Sequence, residues 1–259
     1  MEKRRELDPL PNITNEPRDV RLDLETILEG RVGWRFPAIY IGDEVYDAIH
    51  SRWTSQVGQD KTVVEIFHGK RGGYFVDLAA NDAVVLSNTL TLEQEFGWSG
   101  LCVEPNHEHM HGLLHRRCQV VVGLTGRHNN EMVPFKLSGV FSGVVGDRFD
   151  NKAASDVEVT HMKTVTVEKV FADFGVPPVV DYLSLDVEGA EMWIFEHFPW
   201  HRHTFMVITV ERPKELTLVL ERHGYAYVRD HGTFGDQLWV HHTLPNLDEV
   251  MARFKGTTG

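Results

Sequence analysis

The chain has 259 residues, of which 42% are hydrophobic and 25% are charged, a composition typical of folded globular proteins and not of disordered ones. Acidic residues outnumber basic residues by 38 to 26, so the net charge is −12 at neutral pH. This negative charge repels phosphate groups and anionic lipids, so we expect neither nucleic acid nor a membrane surface as a partner.

Membrane insertion and secretion are also not expected. No apolar run approaches the roughly 18 residues that a membrane-spanning helix needs, and the charged N-terminus lacks the apolar stretch of a signal peptide. The two cysteines, Cys102 and Cys118, lie in or beside apolar runs and have no metal-binding or redox spacing, which predicts two buried thiols and a reducing compartment. The sequence thus predicts a soluble, cytoplasmic protein.

The N-terminal part differs in composition from the rest. Residues 1 to about 33 are highly charged, contain Pro9, Pro11 and Pro17, and have no sustained hydrophobic period. We predict that residues 1–53 form an extension or a peripheral wrap, and that residues 54–259 form a single domain.

Short apolar runs alternate with helical segments through most of that domain. The runs predicted as buried strands cover residues 74–78, 100–103, 119–124, 180–185 and 205–210. Further β-like runs cover residues 132–137 and 161–165, and an antiparallel pair is predicted for residues 225–229 and 237–241. The predicted helices cover residues 61–67, 108–117, 167–174 and 216–222, a segment from a cap at Ser87 or Asn88 to Phe96, and one that begins near Glu188. This alternation predicts an α/β fold with a doubly wound, mostly parallel, seven-stranded sheet.

Acidic residues lie at the ends of four of the predicted parallel strands, at the edge of the sheet where ligands bind in such folds. These residues are Asp77, Glu104, Asp186 and Glu211. The turn after Asp77 is built from small residues but lacks the glycines of a pyrophosphate-binding loop, and Asp82 would repel a pyrophosphate. Paired acids suit instead the ammonium and sulfonium groups of S-adenosylmethionine, although solvated acids in a plain turn explain Asp77 and Asp82 equally well.

The acids at the other strand ends have different expected roles. Glu104 lies 27 residues after Asp77, where a carboxylate can accept hydrogen bonds from both ribose hydroxyls of a nucleoside. Asp186 and Glu188 are close enough in sequence for mutual repulsion to raise one pKa and create a general base. Glu191 is interpreted as an acid that favours a helix N-terminus, and His161 is a further residue that could reach the cleft as a base.

From about Thr54 to His241 the chain resembles the FkbM-type methyltransferases. The residues that carry the resemblance are Ser55-Gln56-Val57-Gly58-Gln59-Asp60, Asp77 to Asp82 with Ser87-Asn88-Thr89, Gly97-Trp98-Ser99-Gly100, Glu104-Pro105-Asn106, and Asp186 to Glu191. The resemblance implies the class I, Rossmann-like methyltransferase fold, S-adenosylmethionine as cofactor, and methyl transfer to an oxygen, often on a sugar or a sugar-decorated natural product. The expected partner is therefore a small-molecule or carbohydrate hydroxyl acceptor.

The strand-end positions and the resemblance together predict the site residues. Cofactor binding is expected from Gln56, Gln59, Asp60, Asp77, Ala79, Asn81, Ser87, Asn88, Glu104, Pro105, Asn106 and Asp186. The expected catalytic residues are Asp186, Glu188, His161 and Glu211. Of these, Asp186, Glu188 or His161 would remove the proton from the acceptor. Asp77 is expected to hold the amino group and Glu104 the ribose, with residues 56–60 covering the site. The chain departs from the family at Ala79 and Ala83, which are usually glycine, and the methyl group of Ala79 would narrow the approach of the methionine part of the cofactor.

Other interpretations stay open at this point. The fifteen histidines lack the ligand spacing of zinc sites, so no metal site is assigned, although a magnesium ion at Asp186 and Glu211 could acidify a substrate hydroxyl. A catalytically silent domain that kept the fold, and a nicotinamide-dependent oxidoreductase, are the competing functions. Acceptor specificity is expected from residues 127–159, with Phe141, Arg148 and Phe149 as contacts.

Overall fold

The computed structural model describes residues 52–152, 159–213, 216–232 and 235–255. The predicted N-terminal extension lies outside these residues except for its last two positions, so the division of the chain at residue 53 stays a prediction. Within the described residues, no helix has the length and hydrophobicity needed to cross a membrane.

The secondary structure elements alternate along most of the described chain. The strands are β1 (Tyr74–Leu78), β2 (Ser99–Glu104), β3 (Gln119–Val122), β4 (Leu124–Thr125), β5 (Met132–Lys136), β6 (Gly143–Val144), β7 (Val159–Val165), β8 (Val179–Leu185), β9 (Thr204–Glu211), β10 (Tyr225–His231) and β11 (Asp236–His241). The α-helices are α1 (Gln59–Ile66), α2 (Leu90–Phe96), α3 (Met110–Leu113), α4 (Val167–Phe174), α5 (Glu191–Phe195), α6 (Leu216–Arg222) and α7 (Leu247–Phe254). Short 3-10 turns cover His107–His109 and Gly139–Phe141.

A seven-stranded sheet has the order β10-β11-β9-β8-β1-β2-β3. Neighbouring strands from β9 to β3 are parallel, and β11 is antiparallel to both of its neighbours. The predicted fold class, a doubly wound and mostly parallel seven-stranded sheet, is therefore confirmed. From β1 the chain adds β2 and β3 on one side and later β8 and β9 on the other. The crevice for a ligand therefore opens at the carboxyl ends of β1 and β8.

The central strands read as continuous apolar runs because the hydrophobic core covers their side chains. Val76, Leu78, Leu183 and Leu185 are each at most 1% exposed and belong to one core cluster. Helix α4 joins the same cluster through an apolar face. Burial on this scale requires neighbouring side chains to match in shape and volume, because protein interiors are closely packed.

Residues 119–124, predicted as one strand, form two. Strand β3 ends at Val122, and the Gly123 N–H donates to the Glu104 carbonyl oxygen at 3.2 Å. Strand β4 then leaves the large sheet and pairs with β7 in a second, four-stranded sheet of order β4-β7-β5-β6. The two further β-like runs of the sequence supply β5 and β7 of this small sheet.

Two predicted helices also differ from the structure. The segment predicted as a helix over residues 108–117 contains only a 3-10 turn and the single-turn helix α3, because the N–H groups of Arg117 and Cys118 donate to the Glu93 carboxylate at 2.8 and 3.0 Å. The helix expected to begin near Glu188 begins at Glu191. Glu188 and Gly189 have φ angles of 53° and 87°, and this left-handed backbone cannot start a right-handed helix.

Candidate functional site

A pocket opens at the carboxyl ends of β1, β2, β8 and β9. Many of the residues predicted for the site line it, namely Gln56, Gln59, Asp77, Ala79, Asn81, Asn88, Glu104, Pro105, Asp186, Glu188 and Glu211. Phe141, predicted as an acceptor contact, lines it as well. Gly139, Val140 and Ser142, which also line it, fall within the stretch 127–159 expected to set acceptor specificity, whereas Ala80, Leu86 and His109 are not among the predicted site residues.

Asp77 lies at the end of β1 and is almost completely buried. Its Oδ2 accepts a hydrogen bond of 2.7 Å from the Thr89 hydroxyl. Burial raises the pKa of Asp77, and the Thr89 hydrogen bond and the Arg116 charge oppose this rise. A ligand ammonium group in the pocket would further stabilise the charged carboxylate.

The turn after β1 is held by backbone hydrogen bonds. The N–H groups of Ala79 and Ala80 both donate to the Val103 carbonyl oxygen, at 2.9 and 3.0 Å. Ala79 has a φ angle of 63°, in the left-handed region that glycine occupies readily and other residues only at a cost. The departure from glycine at Ala79 therefore strains the backbone as well as adding a methyl group to the pocket. Ala83 is buried and has no such φ angle.

Glu104 lies at the end of β2 with both carboxylate oxygens bonded to backbone amides. Oε1 accepts from the Asn106 N–H at 2.6 Å, and Oε2 accepts from the Asn81 N–H at 2.8 Å. Burial raises the pKa of Glu104 to about 7 despite these hydrogen bonds. Each carboxylate oxygen has a second lone pair, so the charged group can also accept hydrogen bonds from ligand hydroxyls.

Three carboxylates meet on the other side of the pocket. Asp186, Glu188 and Glu211 each offer an oxygen that lies within 4.8 Å of the other two. Burial and then repulsion from Glu211 raise the pKa of Asp186 well above its usual value. A raised pKa means that the charged carboxylate has a higher affinity for a proton, as a general base requires.

Arg212 supplies positive charge to this carboxylate cluster. Its Nη2 lies 2.6 Å from Glu211, 3.2 Å from Glu188 and 3.2 Å from Asp150. Burial raises the pKa of Glu188, and the Arg212 charge opposes the rise. The three carboxylate oxygens are near enough to share a divalent cation, but the guanidinium group already balances part of their charge.

Three polar residues predicted to bind the cofactor do not line the pocket, and instead make hydrogen bonds that support it. They are Asp60, Ser87 and Asn106. The buried Asp60 carboxylate accepts from the Thr54 N–H at 2.8 Å and the Thr91 hydroxyl at 2.9 Å, which holds the segment that carries Gln56 and Gln59. These contacts keep the segment beside α2.

Ser87 and Asn106 have similar supporting contacts. The Ser87 hydroxyl accepts from the Leu90 N–H at 3.2 Å at the start of α2. The Asn106 amide donates to the Ser142 hydroxyl at 3.1 Å. His161, predicted as a base, lies exposed on β7 and is not among the residues that line the pocket.

An apolar slot adjoins the pocket and shares Ala79, Pro105 and Ser142 with it. The other residues that line the slot include Val103, Leu124, Phe135, Val144, Val187 and Ile194. It forms because β4 leaves the large sheet at Gly123, which the apolar run of the sequence did not reveal. The slot encloses only about 30 Å³, so it can contact the edge of a flat ring that lies in the adjoining pocket.

Several buried polar atoms of the pocket lack a hydrogen-bond partner in the described structure. They are Asn81 Oδ1, Asn88 Oδ1 and His109 Nε2. Buried polar atoms are normally paired with protein, water or ligand. Acids at two strand ends, an apolar slot and unpaired polar atoms together fit a nucleoside that carries a charged amino acid tail, and S-adenosylmethionine is such a molecule.

One family model matches a large part of the chain. Residues 77–227, more than half of the chain, match the methyltransferase FkbM domain. No curated protein matches the chain significantly.

Similar solved structures include a precorrin-6y C5,15-methyltransferase from Geobacter metallireducens GS-15 (13% identity, 80% of this chain and 97% of that chain, TM-score 0.40). Others are the METTL16 methyltransferase domain (11% identity, 86% and 79%, TM-score 0.44) and a methyltransferase from Geobacter sulfurreducens (10% identity, 88% and 91%, TM-score 0.38). On the match over residues 77–227, the chain belongs to the FkbM methyltransferase domain family and is an S-adenosylmethionine-dependent methyltransferase.

Proposed function

We propose that the chain methylates a hydroxyl oxygen of a sugar, a glycan or a small natural product. The observation that supports this most is the carboxylate cluster of Asp186, Glu188 and Glu211, which lines the same pocket as Asp77 and Glu104. A hydroxyl must lose its proton as it is methylated, and a carboxylate with a raised pKa is suited to accept that proton. Nucleic acid and membrane surfaces are not proposed as partners, because the net charge is −12.

The cofactor would be held by acids at two strand ends and by the apolar slot. Asp77 would accept from its amino group, Glu104 would accept from its ribose hydroxyls, and the apolar slot would contact one edge of its adenine ring. Gln56 and Asn88 also line the pocket and offer amide groups. When bound, S-adenosylmethionine supplies a methyl group that its sulfonium charge makes electrophilic.

The chain's own part in the reaction is to orient the acceptor and to take up its proton. Positioning of the acceptor oxygen can lower the barrier by roughly 7–11 kcal/mol. Asp186 would act as the base, because burial and repulsion from Glu211 both favour its protonated form. Glu188 would be protonated less readily, because Arg212 stabilises its charged form.

The acceptor would contact residues at the mouth of the pocket and in a neighbouring cavity. Val140 and Phe141 are 43% and 63% exposed beside the pocket. A second cavity of about 730 Å³ is lined by Arg148, Phe149 and Trp193, among others. Aromatic faces beside polar groups suit a ring that carries hydroxyls, which supports a sugar or a polyhydroxylated natural product.

The test is a transfer assay with methyl-labelled S-adenosylmethionine and a panel of sugars, polyols, carboxylic acids and amines. We expect label in a methyl ether, which resists mild alkali, and we expect Asp186→Asn to lower the single-turnover rate at least 100-fold. Asp173→Asn, in an exposed ion pair with Lys169 on α4, is the matched control and should keep full activity. Label found only in alkali-labile esters or on nitrogen would contradict hydroxyl methylation.

A second function is a catalytically silent domain that binds the cofactor. The strained Ala79 in the cofactor turn favours it. Binding of S-adenosylhomocysteine without transfer to any acceptor of the panel would support this alternative. The nicotinamide-dependent oxidoreductase has no comparable support, since the glycines of a dinucleotide loop are missing after β1.

A further inference from the structure

The two cysteines of the chain, 16 residues apart in sequence, meet beneath the cofactor pocket. Cys102 lies in β2, and Cys118 lies in the bend directly before β3. Their sulfur atoms are 2.7 Å apart, which is between a disulfide bond of about 2.05 Å and an ordinary non-bonded contact of about 3.5–4 Å. We propose that Cys102 and Cys118 form a redox pair that closes an intramolecular disulfide when a two-electron oxidant such as hydrogen peroxide is present.

The surroundings of the two thiols assign them different roles. Cys118 is 7% exposed and Cys102 is fully buried, so an oxidant reaches Cys118 first. Peroxide converts the Cys118 thiol to a sulfenic acid with release of one water. The Cys102 sulfur then attacks the Cys118 sulfur, the S–S bond forms, and the sulfenic hydroxyl leaves with the Cys102 proton as a second water. Two thiols and one peroxide thus give one disulfide and two waters.

The disulfide would close a loop that carries part of the cofactor pocket. Residues 103–117 include Glu104, Pro105 and His109, all of which line the pocket. A cross-link of this kind stabilises the folded state mainly by restricting the unfolded chain. Oxidation should therefore raise the melting temperature and leave this loop less free to move.

The dithiol is also connected to Asp77 through buried polar groups. The Cys118 N–H and Arg116 Nε both donate to Glu93 Oε2, at 3.0 and 3.3 Å. Arg116 Nη2 donates to the Thr89 hydroxyl at 3.1 Å, and Thr89 in turn donates to Asp77. A disulfide bond at Cys118 would therefore form two residues away from Arg116, whose guanidinium group supports the turn after β1.

The test treats the full chain with hydrogen peroxide or with a reductant, and then alkylates free thiols under denaturing conditions. We expect the oxidised monomer to take up no alkyl group and to weigh two hydrogens less, and a digest without reductant to yield a peptide containing Cys102 linked to one containing Cys118. Reductant should restore two alkylation sites. Cys102→Ser and Cys118→Ser are matched controls that retain one thiol and cannot form the linked peptide.

The melting temperature provides a second readout that needs neither cofactor nor acceptor. It should rise by several degrees when the wild-type chain is oxidised and should not rise in Cys118→Ser. Two thiols that both remain open to alkylation after oxidation, or a linkage formed only between chains, would overturn the proposal.

Discussion

The backbone N–H of Asn81 donates a hydrogen bond of 2.8 Å to Oε2 of Glu104. This contact joins the turn after β1 to the acid at the end of β2, so the Glu104 carboxylate, which we propose accepts from the ribose, takes its position from the neighbouring strand. The turn can present this amide because Asn81, like Ala79, has a left-handed backbone, with a φ angle of 53°. The position of Glu104 therefore depends on the turn that follows Asp77.

Cofactor affinity should fall as the pH is lowered from 8 to 6. Burial raises the pKa of Glu104 to about 7 from an ordinary value of 4.5, so the carboxyl takes up a proton in this range. A protonated Glu104 no longer offers a charged carboxylate to the ribose hydroxyls. Hydrogen bonds to a charged group contribute about 1.5–3 kcal/mol, so this loss weakens binding. Calorimetry with S-adenosylhomocysteine should show an affinity about tenfold weaker at pH 6.

The same pKa shift acts on stability with a defined sign. Because the folded-state pKa lies above the unfolded value, the contribution of Glu104 to stability is full below about pH 4.5. This contribution to stability is lost as the pH rises through about 7.

Glu104→Gln is the control for the binding experiment, since the affinity of this variant for S-adenosylhomocysteine should be weaker and nearly independent of pH. A wild-type affinity that is equal at pH 6 and pH 8 would count against Glu104 as the ribose acceptor.

Ala79→Gly should stabilise the protein. Ala79 has a φ angle of 63°, and a left-handed backbone costs a residue with a Cβ roughly 1–2 kcal/mol. Part of this gain is offset because glycine is freer in the unfolded chain, so we expect a net rise of about 1 kcal/mol in the free energy of unfolding by urea. The matched control is Ala80→Gly, which has no positive φ and should lower stability by about 0.5–1 kcal/mol. Equal effects of the two substitutions would be inconsistent with strain at Ala79.

The four acids at the strand ends could be predicted from the sequence, because the carboxyl ends of neighbouring parallel strands meet at one edge of a sheet. The supporting roles of Asp60, Ser87 and Asn106 could not. A polar side chain in a ligand-binding motif can face the ligand or satisfy nearby backbone N–H groups, and sequence spacing alone does not distinguish these two arrangements.

The other differences have comparable causes. The apolar slot depends on the departure of β4 from the large sheet, where an uninterrupted apolar run hides the break at Gly123. Helix α5 begins later than predicted because Glu188 has a left-handed backbone. Glutamate rarely adopts this conformation, so the sequence gives no sign of it. Contact between Cys102 and Cys118 depends on the pairing of β2 with β3, which no local spacing encodes.

Arg116→Met should destabilise the fold strongly. Arg116 and Glu93 form a buried ion pair with side chains 1% and 0% exposed. Removal of one partner leaves the other charge uncompensated, at a cost of about 3–5 kcal/mol. In a double-mutant cycle measured by urea unfolding, Arg116→Met combined with Glu93→Gln should recover part of this loss. A double variant whose loss is the sum of the two single losses would show that the ion pair is not coupled.

Arg212→Gln should shift the pH dependence of methyl transfer to higher pH. Arg212 opposes the rise in the pKa of Glu188, so its removal raises that pKa further and favours protonation of the cluster. We expect the acid limb of the single-turnover rate profile to move upward by up to about one pH unit. Arg253→Gln, which removes an exposed partner of Glu65, should leave the profile unchanged. An unshifted profile in Arg212→Gln would mean that the cluster does not control the proton transfer.

The central claim is that a methyl donor lies across the ends of β1 and β2, held by Asp77 and Glu104. Titration calorimetry of the purified chain with S-adenosylhomocysteine tests it most directly. We predict one site per chain, with affinity reduced at least tenfold in Asp77→Asn and unchanged in Asp173→Asn. If the folded wild-type chain binds neither S-adenosylhomocysteine nor S-adenosylmethionine, the site is not a cofactor site and the account is wrong.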